Sequence, residues 1–448
     1  MESSIVNKKV IVNGNESSIY ELNGKPRFIK AFPLALQHVM AMLVGNITPP
    51  ILIAQLLGLP ESDRILLMQA AMLIGGITTL MQLYAFYGFG MGLPNVMGVA
   101  FAYMPILSAI GLTYGIDAIF GSQLVAGFAS IILGALMGKI RKYFPPIVSG
   151  TVVLSIGLSL YNTAINYMAG GSAQAEDFGL PKYWIIALIV LAVTLACNFY
   201  GKGAIKVSGM LIGITVGYII SLFYGDMINF ENVKNSSWVA MPQFFKWGFE
   251  FNISAIISMI LMYIVQAVQS IGDVSATAIG AFNREATDKE LGGAIKGQGI
   301  CGMIGACIGG LPTDPYSQNV GLIITTKAIS KRIFAIVGII MILAGLSPKI
   351  GAIMTTIPYP VLGGATITVF AAITMSGLEL ICEQPLNYRN KMIVGIALAL
   401  GLGISSASNS LQFFPVDIQN IIGKSPIVLS FIVAFVLNII VPEEKKEE

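Results

Sequence analysis

From Ala31 onward the chain alternates long apolar runs with short polar breaks. Windows of about 19 residues mark fourteen candidate membrane spans, starting near residues 31, 64, 92, 116, 145, 182, 204, 252, 292, 314, 332, 358, 391 and 425. A bilayer core takes roughly 20 apolar residues per helix, so fourteen spans use about 280 residues and leave only short loops. The predicted fold class is an all-α polytopic membrane protein. The polar, basic segment 1–30 lacks the apolar core of a signal peptide.

Two of the spans break. In Gly309-Gly-Leu-Pro-Thr-Asp-Pro-Tyr-Ser-Gln-Asn-Val-Gly321, Pro312 and Pro315 forbid a continuous helix. Pro315 suits a first helical position, with Asp314 as the cap before it. A helix from there to Thr326 covers only about 18 Å at 1.5 Å per residue, so it begins near mid-membrane. Span three, opened by Gly92-Leu93-Pro94 and running on to Tyr103, repeats the device. Short extended segments at matching places in two halves point to a transporter's binding site. Non-helical backbone survives at that depth only when it is buried in protein or lines a cavity. Gly305 and Gly309, four apart in span nine, allow a neighbouring helix to approach closely.

The halves also read alike elsewhere. Pro145-Pro-Ile-Val-Ser-Gly150 precedes span five, and Pro358-Tyr-Pro-Val-Leu-Gly363 precedes span twelve. Seven spans is an odd number, so the second copy enters from the opposite face. The expectation is a 7+7 inverted repeat joined by the loop 225–251.

Composition narrows the class further. Of the 448 residues, 55% are hydrophobic and only 11% charged, with a mean hydropathy of +0.79; soluble chains carry about 25% charged residues. A cytosolic enzyme, a disordered chain and, at a net charge of +3, a nucleic-acid binder are excluded. Cys197, Cys301, Cys307 and Cys382 sit in or beside apolar runs with no metal-ligand spacing, so neither disulfides, metal nor cofactor is expected. Placing the N-terminus inside puts 20 of the 26 basic residues in inner segments and leaves Arg64, Lys182, Lys234, Lys246, Lys349 and Lys424 outside. That asymmetry fits an even span number, with both termini in the cytoplasm.

The polar residues within the spans carry the candidate chemistry. Gln266, Gln269 and Asp273 fall at i, i+3 and i+7 of span eight and form one polar stripe. Span nine holds Gln298. The short tenth helix puts Gln318 and Asn319 in its first turn, where free backbone N–H groups and the positive dipole end also lie. Amides beside backbone donors suit a flat ligand rich in C=O and N–H edges, and Phe101 offers a ring for stacking. Taken singly, an amide could simply bond a neighbouring helix. An intramembrane carboxylate such as Asp273 is a functional candidate by default. Asp314 fits a helix cap better than a ligand or proton group. His38, the sole histidine, reads equally as a packing residue and a site organiser. Lys327, Lys331 and Arg332 read as cytoplasmic anchors.

Gln318-Asn-Val-Gly-Leu-Ile-Ile-Thr-Thr-Lys327 resembles the signature Gln/Glu/Pro-Asn-x-Gly-x4-Thr-Arg/Lys/Gly of the nucleobase–ascorbate transporters. Asn319, Gly321, Thr326 and Lys327 occupy its fixed positions. The Gln37-His38 pair, Gln269-Ser-Ile-Gly-Asp273 and the span-three segment are similar too, so the resemblance covers most of the chain. It implies a core domain at 31–140 (spans 1–4) and 252–350 (spans 8–11), and a gate domain at 141–224 (spans 5–7) and 351–441 (spans 12–14). The segments 1–30 and 442–448 are then cytoplasmic, the location is the cell membrane, and the assembly is a homodimer. Substrate would sit between spans 3, 8 and 10, at Gln269, Gln318 and Asn319, with Phe101, Ala102, Tyr316 and Ser317 around it. Gln heading the signature is similar to carriers of xanthine, urate and other purines such as guanine or hypoxanthine.

The chain departs from the family at two positions. The family usually has Glu where this chain has Gln269, and Asp, tied to proton coupling, where it has Gln298. Neither amide can titrate, which leaves Asp273, Asp314 and, less suited, His38 for any H+; otherwise coupling is weak or absent. The competing readings are an H+- or Na+-coupled uracil or pyrimidine permease, and an anion exchanger or channel on a similar scaffold. An exchanger would more naturally place a basic residue or bare helix ends at the centre. An enzyme is not expected, since no catalytic set accompanies the single histidine.

Overall fold

A computed structural model describes residues 17–140, 145–171, 175–224, 227–407, 409–415, 418–423 and 425–442. Lys8, Lys9, Arg141, Lys142, Lys424, Lys445 and Lys446 of the basic-residue count, with residues 1–16 and 443–448 of the terminal segments, lie outside them.

Backbone in hydrocarbon has to bond to itself, so the apolar runs fold as helices. The first are α1 (Phe28–Leu56) and α2 (Glu61–Tyr84). The first break follows: strand β1 (Met97–Val99), a 3-10 turn Phe101–Tyr103, and α3 (Met104–Tyr114). Then come α4 (Ile116–Ala135), α5 (Pro146–Met168), α6 (Pro181–Tyr200) and α7 (Gly209–Leu222). Beyond the long loop lie α8 (Ile253–Phe282) and α9 (Asp288–Ile308), then the second break, β2 (Thr313–Pro315) and α10 (Ser317–Thr326). The chain finishes with α11 (Lys331–Gly345), α12 (Pro348–Thr355), α13 (Tyr359–Cys382), α14 (Tyr388–Ser406) and α15 (Pro426–Ile440). Among the described residues, eight helices are individually long and apolar enough to cross a bilayer, and α11 with α12 makes a ninth across an 83° bend. The protein is a multi-pass membrane protein.

Local chemistry moves several expected boundaries. Span nine starts at Asp288 rather than near 292, because Thr287 and Glu290 form a reciprocal cap: Thr287 N donates to Glu290 Oε2 at 2.8 Å and Glu290 N to Thr287 Oγ1 at 3.3 Å. Gly309 does not face a neighbouring helix; it ends α9 at φ 80°, under the ring of Trp247. Asp314 is not a helix cap and Pro315 is not a first helical residue. Both belong to β2, while Tyr316 takes the cap position of α10 without a side-chain bond. Proline costs the strand little here, having no N–H to satisfy, and the Asp314 side chain is drawn instead to α8 and α9. The ten residues of α10 span about 15 Å.

Three long helix seams hold the molecule together: α2 on α11, α4 on α9, and α5 on α13. In each, glycine lets backbone touch backbone. A Cβ added at Gly76 would sit 2.5 Å from Gly338 O, at Gly127 2.7 Å from Gly299 O, and at Gly150 2.7 Å from Gly377 O. Of the expected pair in α9, Gly305 does sit against neighbouring helices, a Cβ there meeting Gln123 of α4 at 3.2 Å and Ile74 of α2 at 3.3 Å, while Gly292 and Gly299 make the backbone approach to α4.

The two breaks meet. β1 and β2 pair antiparallel, Met97 opposite Pro315, Gly98 opposite Asp314 and Val99 opposite Thr313. Ala100 N donates to Pro312 O and Tyr316 N to Val96 O, both at 3.0 Å. Side chains of α1 and α2 satisfy the remaining donors: Val99 N bonds Asn46 Oδ1 at 2.7 Å and Met97 N bonds Thr79 Oγ1 at 3.0 Å. Because the strands run oppositely, α3 and α10 leave this ribbon in opposite directions.

At one end of α11 the segment before α1 is tied down. Ile19 O accepts from Ile329 N at 3.0 Å, Leu22 O from Lys331 N at 2.8 Å, and Gly24 O from Ser330 Oγ at 2.7 Å, while Ser330 Oγ caps Arg332 N at 3.3 Å. Ser330→Ala is expected to remove about 1 kcal/mol of capping. In a detergent melt this should appear as a drop of about 2 °C; an unchanged melting temperature would show that this tie contributes nothing.

Candidate functional site

The stripe on α8 meets β2 through Gln266 and the head of α10 through Asp273. Gln266 and Asp273 are buried and Gln269 is half-buried. Their neighbour Ser270, one turn beyond Gln266, joins them. Around Asp314 the side chains form a closed set: Gln266 Nε2 donates to Asp314 Oδ2, Ser270 Oγ to Oδ1 at 2.6 Å, and Gln298 Nε2 to Oδ1 at 2.8 Å. Gln298 gives its second N–H to Ser270 Oγ at 2.7 Å. Both carboxylate oxygens thus have donors from α8 and α9, and none of the described Lys, Arg or His side chains bonds Asp314 or Asp273.

At the head of α10, Ser317 Oγ donates to Asp273 Oδ1 at 2.7 Å. Gln318 is exposed beside it. Asn319 is buried, its Nδ2 donating to His38 Nδ1 at 3.1 Å and to His38 O at 3.0 Å. His38 is itself buried, with its ring 4.8 Å from that of Phe334. The imidazole therefore fixes which way the Asn319 amide turns. Asn319 Oδ1, Gln266 Oε1, Gln269 Oε1 and Asp273 Oδ2 are buried and bond nothing in the protein. Every one of the four is an acceptor. Buried acceptors without donors cost about 1–3 kcal/mol each, so a ligand bringing N–H groups to them would be stabilised.

The other residues named from the sequence take less direct places. Phe101 and Ala102 are buried in the turn after β1, and the Phe101 ring meets Phe370 of α13 edge-on, 5.0 Å between centroids. Tyr316 belongs to the ribbon: its hydroxyl donates to Val99 O at 2.8 Å, and its ring fills the space over Gly45 and Gly98. Gly321 faces open space, and Thr326 Oγ1 bonds Leu322 O within its own helix at 2.7 Å. Lys327 is more than an anchor. It ends α10 at φ 55°, and its ammonium bonds Gly280 O near the end of α8, tying together the two helices that carry the polar groups.

Sequence reasoning passed over the residues that hold the ribbon. Besides Asn46 and Thr79, Thr313 Oγ1 bonds Thr78 Oγ1 at 3.1 Å. Gln123 of α4 donates to Gly302 O at 2.8 Å and Gly310 O at 2.9 Å, and Gln82 of α2 donates to Ala294 O at 2.8 Å while accepting from Met91 N at 3.0 Å. Each is a polar residue inside an apolar run, which was the available signal. Ser270 had a second one, since it lies four residues from Gln266.

The arrangement resembles known proteins at two levels. The sequence pattern described as a permease family matches residues 29–409. The uric acid permease PucK of Bacillus subtilis is 34% identical over 83% of this chain and 86% of its own. The xanthine permease XanP of Escherichia coli is 30% identical over 96% of each. Among solved structures, the transmembrane domain of the cyanobacterial bicarbonate transporter BicA aligns with TM-score 0.55 at 14% identity, over 92% of this chain and 97% of that one. SLC26A9 aligns with TM-score 0.62 at 11% identity, over 93% of this chain and 66% of that one. At such identities the structural likeness concerns the fold alone.

Proposed function

Because the chain belongs to the nucleobase–ascorbate transporter family of permeases, and is a transporter rather than an enzyme, we propose that its cargo is a purine base such as xanthine, urate, guanine or hypoxanthine. The relatives named for uric acid and xanthine support this choice. The observation that carries it is the set of unpartnered acceptors on α8, at Gln266, Gln269 and Asp273, beside the head of α10, whose cap position makes no side-chain bond. An oxidised purine offers N–H and C=O on adjacent edges and so matches both sides. An inorganic anion would find carboxylate and amide oxygens there, with no Lys or Arg among the described residues bonded to them.

The cargo sits between β1, α8 and α10, with Gln269, Gln318 and Asn319 as its hydrogen-bonding partners. Alternating access moves a core of spans 1–4 and 8–11 (31–140 and 252–350) against a gate of spans 5–7 and 12–14 (141–224 and 351–441). In this reading fourteen spans form a 7+7 inverted repeat, and the seams support it: advancing the α4–α9 pair by seven spans gives spans eleven and two, which is the α11–α2 pair. Both termini are cytoplasmic, the membrane is the cell membrane, and the transporter is a homodimer. Proton coupling is weak or absent, because Gln269 and Gln298 cannot titrate.

Binding of a panel of purines, pyrimidines and ascorbate to the purified protein tests the cargo. Gln269→Ala and Gln318→Ala are each expected to weaken the best base by roughly a hundredfold, through loss of their hydrogen bonds to it. Unchanged affinity in both variants would move the site elsewhere.

A further inference from the structure

We propose that Gln266 is a direct substrate contact and that Asp314 is the positioning residue that makes it one. The inference rests on the purine reading above and deepens it. Gln266 is 1% exposed, and its amide is split in use: Nε2 donates to Asp314 Oδ2, while Oε1 is buried and bonds nothing. The Asp314 oxygens act as acceptors for all three side chains bonded to them. Ser270 and Gln298 occupy Oδ1, and Gln266 is the donor at Oδ2. Turning the Gln266 amide over would set its carbonyl oxygen against that carboxylate, acceptor to acceptor. Asp314 therefore locks the amide one way round and turns the carbonyl oxygen away from the carboxyl.

On a helix, residues three apart stand about 5–6 Å from each other. Gln266 Oε1 is thus followed along the stripe by Gln269 Oε1 and then Asp273 Oδ2, also without partners. The two acceptors one turn apart, Gln266 Oε1 and Gln269 Oε1, are close enough to read N–H groups of one flat heterocycle, and Gln266 is the one bonded to the ribbon. Its role is selective: it favours bases carrying a hydrogen on the ring nitrogen that faces it, over isomers or N-methyl derivatives lacking that hydrogen. Nothing in its own position on α8 gives Gln266 this role. It depends on the residue opposite Gly98 in the ribbon being an aspartate.

The test is a binding matrix of xanthine and its 1-, 3- and 7-methyl derivatives against wild type, Gln266→Met, Gln266→Asn and Asp314→Asn, each checked for monodispersity. Methionine keeps the volume and removes the acceptor. The expected result is about a tenfold loss for xanthine in Gln266→Met. One methyl derivative, already about tenfold weaker in wild type, loses nothing more. Asp314→Asn, whose amide lets Gln266 turn over, should reproduce the same analogue-specific pattern. Equal losses for every ligand, or none for any, would overturn the proposal, since a packing role cannot distinguish a hydrogen from a methyl on the base. Gln266→Asn, which retracts the carbonyl by one methylene, gives the same reading if the methionine variant does not fold. A wild-type protein that binds no purine would instead sink the purine reading, and this inference with it.

Discussion

Uptake of a neutral purine into vesicles containing the protein is expected to reach the same plateau with and without a proton gradient, at an internal-to-external ratio near one. One proton moving down 100 mV releases about 2.3 kcal/mol, enough for a ratio of about fifty at 1.4 kcal/mol per decade. The two outcomes therefore lie more than a decade apart. Gln269 and Gln298 stand where the family usually has carboxylates, and neither can carry a proton. Asp314 is tied at both oxygens to side chains of α8 and α9, and releasing it means breaking three bonds inside apolar surroundings. Asp273 gives one oxygen to Ser317, and no Lys or Arg among the described residues bonds it. Gradient-driven accumulation approaching fiftyfold would refute the expectation and direct attention to Asp273, the carboxylate with a free oxygen.

The parts of this architecture legible in the sequence were those written in local chemistry. Prolines 312 and 315 break a span wherever they occur, and Gln266, Gln269 and Asp273 share a helix face by spacing alone. The signature placed Gln318 and Asn319 at the start of a short helix, and α10 begins at Ser317. What the sequence could not tell was which distant groups answer each other. Asp314 before Pro315 has the local pattern of a cap, and only the pairing of β2 with β1 turns its side chain toward α8 and α9 instead. Tyr316 lies next to the signature, yet its hydroxyl is taken by Val99 O across the ribbon. Gly309 has helical spacing from Gly305, but it stops α9 because the chain must turn there toward β2. Asn46 and Gln123 look like isolated amides in apolar helices. Their partners lie 53 and 187 residues away, at Val99 and Gly310.

Asn46 is where the second large effect should fall. Asn46→Leu is expected to abolish base binding, by roughly a hundredfold or more, while leaving the helical content intact. The Asn46 amide is fully buried, accepts from Val99 N at 2.7 Å and donates to Ala71 O at 3.2 Å. It is the link by which α1 and α2 hold the end of β1. Leucine fills nearly the same space but leaves the Val99 N–H unpaired in a dry interior, at about 1–3 kcal/mol. No water is at hand there to replace the lost acceptor, so the strand is expected to shift until that group finds one. Any shift of β1 carries β2 with it, because Gly98 stands opposite Asp314 in the ladder. The donors on Gln266, Ser270 and Gln298 then lose their common acceptor, and the first turn of α10 is re-aimed. Asn46→Asp is the conservative control: held as the neutral acid in this dry interior, it keeps an acceptor for Val99 N and can turn its O–H toward Ala71 O. Its loss should be no more than about tenfold, well short of the leucine variant's. Binding and helical content measured on the same preparations check the pair. If Asn46→Leu bound purines like wild type, the ribbon would be shown to stand without its support from α1, and the transmission from Asn46 to Asp314 would not exist.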